Sequence, residues 1–110
     1  MKAPHVSIIV AIDCPPETEE KYNRWYEGTH IPMLMKFKGL VGVTRYKMVG
    51  EGTNPKYITT LEFESKEAME AYEKSPELAA AREESKGTWK DKPVPPRWRV
   101  PYEQVGVWKK

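Results

Sequence analysis

A chain of 110 residues is long enough for one hydrophobic core and too short for two. Its 18 basic and 16 acidic residues leave a net charge of +2 and alternate along the chain, which gives no electrostatic footprint for nucleic acid. The single cysteine, Cys14, excludes an internal disulfide framework and suits a reducing compartment, so a cytoplasmic location is expected, and no apolar run is long enough to span a bilayer.

Lys2 followed by the apolar run Val6 to Ile12 has the outline of a signal peptide, but the run is too short and Asp13 interrupts it. His5 to Ile12 is rich in β-branched residues and apolar on both alternating faces, the pattern of a strand with neighbours on both sides. Asp13 to Pro16 break it. Thr18, with Glu19 and Glu20 after it, is expected to cap the next helix.

That helix places Tyr22, Trp25, Tyr26, Thr29, His30, Met33 and Phe37 on one stripe. Pro32 removes a backbone donor inside it and crowds the carbonyl of Gly28, so a kink is expected beside His30. The opposite face, from Arg24 through Glu27 and Gly28 to Ile31 and Met35, starts polar and ends apolar.

Leu40 to Val49 and Tyr57 to Glu64 read as a hairpin turned by the stretch from Gly50 to Pro55. In the second strand Leu61 and Phe63 share one face, and Ile58, Thr60 and Glu62 the other. Ser65 caps a helix with Ala68, Met69 and Tyr72 as its apolar stripe. Ser75-Pro76 restarts helix as far as Gly87. Lys90 to Pro96 is an extended linker, and Arg97 to Trp108 is expected to be a strand held at the sheet edge by Pro101.

The order β-α-β-β-α-β predicts an α+β, ferredoxin-like chain with a four-stranded antiparallel sheet and both helices on one face. The helix-free face of such a sheet is too apolar to stay bare, so two chains are expected to pair through it as a homodimer.

The run WYEGTHIP, Gly39 within KFKGLVGVTRY, the strand YITTLEFES and the GTW of Gly87 to Trp89 resemble the EthD-like family of the dimeric α+β barrel superfamily. Lys38 departs from the proline that often precedes this glycine in the family. The resemblance covers most of the chain and implies a dimeric barrel of ferredoxin-like subunits. Functionally it implies a range of cofactor-free isomerases, cyclases and monooxygenases, haem-degrading enzymes, and members without known activity.

A small apolar or aromatic ligand is expected in a pocket between the sheet and the kinked helix, with His30 as acid or base. Glu62 or Tyr46 is expected to orient it, and Trp25, Tyr26, Tyr46, Arg45 and Trp89 to bind substrate, with Trp89 as a lid. Each has a plainer role. His30 can bond a carbonyl freed by Pro32, Glu62 can pair with a lysine or face solvent, Trp25 and Tyr26 can be core, and Arg45 can bridge to a helix glutamate. His5 and Cys14 are assigned no function. Two distant histidines and one cysteine do not make a metal site, and no cofactor motif is present. A non-catalytic binding or oligomerisation module is the alternative. A haem-binding enzyme, with iron on His30, is a further one implied by the resemblance alone.

Overall fold

Alternation along two strands sorts the chain into two faces. In β1 (Val6–Ile12) and β3 (Tyr57–Phe63) every second residue is buried, and the antiparallel register pairs Val6 with Phe63, Ile8 with Leu61 and Ile12 with Tyr57. The computed structural model describes residues 5–110, which leaves Lys2 outside.

With β2 (Leu40–Lys47) and β4 (Trp98–Glu103) the sheet has the order β2-β3-β1-β4, antiparallel throughout. As its doubly apolar pattern predicts, β1 is flanked on both sides, and β4 with Pro101 is an edge. This is the ferredoxin-like arrangement expected from the sequence. The last strand is shorter than expected, ending at Glu103, and beyond it Val105 and Trp108 are exposed.

The helices cover the face that carries Ile8, Leu61 and Phe63. A 3-10 turn, Pro16–Thr18, leads into α1 (Glu19–Trp25). Thr18 does not cap α1 through its side chain, because its backbone is already helical and its hydroxyl donates to the Pro15 carbonyl at 3.2 Å. Ser65 and Ser75 do cap. Ser65 Oγ accepts from Ala68 N to start α3 (Lys66–Glu73), and Ser75 Oγ accepts from Leu78 N to start α4 (Pro76–Thr88), each at 3.1 Å.

The expected kink is a turn of π-helix, Tyr26–His30, between α1 and α2 (Ile31–Leu34). The Ile31 N–H reaches back five residues to the Tyr26 carbonyl. Pro32 contributes no N–H to the next turn, so the wider register loses little there. The extra residue shifts the stripe: Tyr22, Tyr26 and then Leu34 are buried, with Leu34 in the place a regular helix would give Met33. After α2 the chain closes onto α3 through Gly39, where an added Cβ would lie 2.6 Å from the Phe37 ring and 3.3 Å from Ala68 Cβ. Gly50, at φ 84°, serves the β2–β3 hairpin.

Candidate functional site

The π-turn aims His30 into the space between the sheet and α4. Its ring stacks on Trp25 with centroids 4.9 Å apart and planes at 28°, and tilts against Tyr26 at 5.1 Å. Glu84 of α4 fixes this stack by accepting from Trp25 Nε1 at 2.9 Å. Trp89, at the end of α4, packs on Tyr22 at 5.3 Å and on Trp25 at 5.6 Å.

Two adjoining chambers meet at His30. The inner one, about 220 Å³, lies against the sheet, with Val10, Leu61, Tyr26, Tyr72 and Arg99 in its walls. The outer one, about 580 Å³, is bounded by Trp89, Lys86, Lys90 and the strap from Pro93 to Pro96. Arg82, Ser85, Val94 and Pro96 line both.

Burial holds the His30 pKa below that of a free imidazole, and the nearby Glu84 charge offsets only part of the shift. The ring is therefore neutral at pH 7. Its Nδ1 is sealed from solvent and has no hydrogen-bond partner. The carbonyl freed by Pro32 does not take that nitrogen. Burial likewise raises the pKa of Tyr22, Tyr26 and Tyr72, the last to about 12, and keeps all three phenols protonated. The chamber thus holds a neutral base among phenols that can donate.

The remaining expected residues divide by face. Glu62 and Tyr46 do not reach His30, because the strand alternation that buries Leu61 against the helices turns them to the other side of the sheet. Glu62 pairs there with His5, Nδ1 to Oε1 at 2.8 Å, while Tyr46 is more than half exposed. Trp25, Tyr26 and His30 do come together. Trp89 joins them as a wall and is only 5% exposed. Arg45 points to the helix side but is occupied. It donates to Glu27 at 2.8 Å and to Asn23 at 3.1 Å and lies over the rings of Tyr26 and Tyr57.

Arg82, Ser85 and Arg99 were not anticipated. The signal was present in α4, where Leu78, Ala81, Arg82, Ser85 and Trp89 share one helical stripe, so that a cation and a hydroxyl sit on the inward face. Arg99 was hidden in a strand without clear alternation. It pairs with Glu73 at 2.8 Å.

Haem does not fit the inner chamber. A porphyrin is larger than this 220 Å³ space, which suits only a small molecule. A porphyrin entering it would have to displace the Trp25–His30 stack. Among the described residues no three His, Cys, Asp or Glu side chains are grouped to hold a metal ion, and no helix is long and apolar enough to cross a membrane.

Fold and site together define a ferredoxin-like α+β chain with an aromatic chamber between sheet and helices. The chain belongs to the family described as domain of unknown function DUF4286, matched over residues 6–97. No curated protein matches it. It is similar to an EthD family protein from Bacillus halodurans C-125, with a TM-score of 0.70 at 16% identity over 93% of this chain and 99% of that one. It is also similar to the haem-degrader MhuD of Mycobacterium tuberculosis, whose active site binds two haems, with a TM-score of 0.68 at 20% identity over 96% and 100% of the two chains. A third similarity is to a dimeric ferredoxin-like protein of unknown function from Bacteroides fragilis, with a TM-score of 0.61 at 16% identity over 92% and 95%. These likenesses show the fold, and at that level the EthD-like resemblance of the sequence holds.

Proposed function

We propose that the chain is a homodimeric protein that takes a small apolar or aromatic carbonyl compound into the inner chamber, where His30 moves a proton at the carbon next to the carbonyl. The observation that carries this reading is the half-buried, neutral His30 at the junction of both chambers. A neutral imidazole accepts a proton, and the protonated phenols of the same wall can donate to an oxygen as negative charge develops on it. That step is shared by cofactor-free isomerases, cyclases and monooxygenases, which places this chemistry in the EthD-like range without a cofactor. Glu62 has no part in it.

The homodimer is supported by the apolar helix-free sheet face and by the dimeric relative of the same fold. The test uses 1-tetralone in deuterated buffer, with exchange at its α-carbon followed by NMR. The protein should accelerate exchange, and His30→Gln should remove the acceleration while leaving the unfolding midpoint within a few degrees. Exchange at the buffer rate in both proteins would leave a binding module as the better account.

A further inference from the structure

We infer that the ligand is an organic acid, its apolar body in the inner chamber and its anionic head at the outer mouth, held by Arg82, Lys86 and Lys90. This rests on the reading of the chamber as a small-molecule site and adds the class of molecule. Every charged side chain lining either chamber is a cation: Arg82 and Arg99 inside, and Arg82, Lys86 and Lys90 outside. The whole chain carries only +2, so this single sign is local.

The cations are also underused. Glu73 is committed to Arg99 at 2.8 Å and lies 3.9 Å from Arg82, which leaves the Arg82 fork free to take a carboxylate with two parallel N–H donors. Lys86 has only Glu83, at 3.8 Å, and Lys90 forms no ion pair among the described residues. Trp89 supplies an independent sign. It is 5% exposed, it lines the outer chamber, and its Nε1 has no partner. An indole N–H can only donate, so a ligand group that reached it from this chamber would have to be an acceptor. Pro93, Val94, Pro95 and Pro96 close the same chamber with apolar surface, which suits a molecule that is acidic at one end and apolar at the other.

The experiment is calorimetric titration of the intact protein with 2-naphthoate and with 2-naphthamide, which has the same rings and no charge. Near neutral pH and at low salt, naphthoate should bind at least about tenfold more tightly. The advantage should shrink at about 0.5 M salt, where exposed charges are screened beyond a few ångströms. It should also vanish in the triple variant Arg82→Gln, Lys86→Gln, Lys90→Gln, in which acid and amide should bind alike. Lys109→Gln with Lys110→Gln removes charge elsewhere and should leave the preference intact. Equal binding of acid and amide would overturn the inference and leave the chamber standing, and binding of neither would overturn both. Equal loss in the control variant would reduce the effect to bulk charge and overturn the inference.

Discussion

His30 combines a cost with its use. Its imidazole is packed on Trp25 and Tyr26, and burial lowers its pKa against the opposing pull of Glu84 on α4, with Arg82 and Arg99 in the same chamber walls. The unfolded chain takes up a proton near the ordinary value of about 6.5, before the folded chain does. Below that pH the unfolded state binds more protons, so the stability that His30 allows is complete above about 6.5 and declines as pH falls towards the lower folded value. Urea midpoints at about pH 7.5 and 5.5 should therefore move further apart in the natural chain than in His30→Gln. Identical shifts in the two proteins would mean that the ring titrates freely. Glu84→Gln keeps an acceptor for Trp25 while removing the charge, and should lower the His30 pKa further, read from its ring proton shifts in NMR.

The organising element is the helix from Glu19 to Leu34, interrupted by one π-turn. Two glycines elsewhere show how differently the same residue serves its element. Gly87 lies within α4 with nothing near a Cβ, so Gly87→Ala should stabilise by about 0.5–1 kcal/mol through helix propensity alone. At Gly39 the new methyl would meet Phe37 on one side and Ala68 on the other, and overpacking should cost about 1–3 kcal/mol. Thermal or urea unfolding of the pair checks both signs. Gly39 was legible in the sequence only as part of a resemblance, whereas its physical reason lies in a contact with α3 that local pattern does not encode. Much else was legible, because period-2 alternation fixed the faces of β3, and the serines at 65 and 75 announced their helices. Pro32 marked the kink but not its form: a proline predicts a lost hydrogen bond, while the choice of a π-turn depends on what packs around it. The grouping of Glu62 with His30 failed for a reason already in the alternation, since a residue one step from Leu61 cannot share its face.

The molecule as a whole leaves one sheet face without helices. On it Ile9 lies beside Val100, Ala11 beside Ile58 and Trp98, and Tyr46 and Tyr102 flank them. Trp98 and Val100 are each 37% exposed, and Tyr102 is 52% exposed, which is costly for rings and branched aliphatics grouped on one surface. A second copy offers the same surface in return, and a two-fold axis lets each apolar strand face its counterpart. Val100 sits on edge strand β4, opposite Ile9, with its side chain clear of the helix-side core. Val100→Asp should therefore leave the subunit folded but place a carboxylate on the apolar surface where two sheets would meet. Light scattering should give twice the 12.7 kDa chain mass for the natural protein and once that mass for the variant, with unchanged far-ultraviolet circular dichroism. A natural chain that is monomeric at micromolar concentration would mean that this apolar face is tolerated bare, and the homodimer would fall. The chamber would survive that result, because its walls come from the helices and the opposite side of the same subunit's sheet.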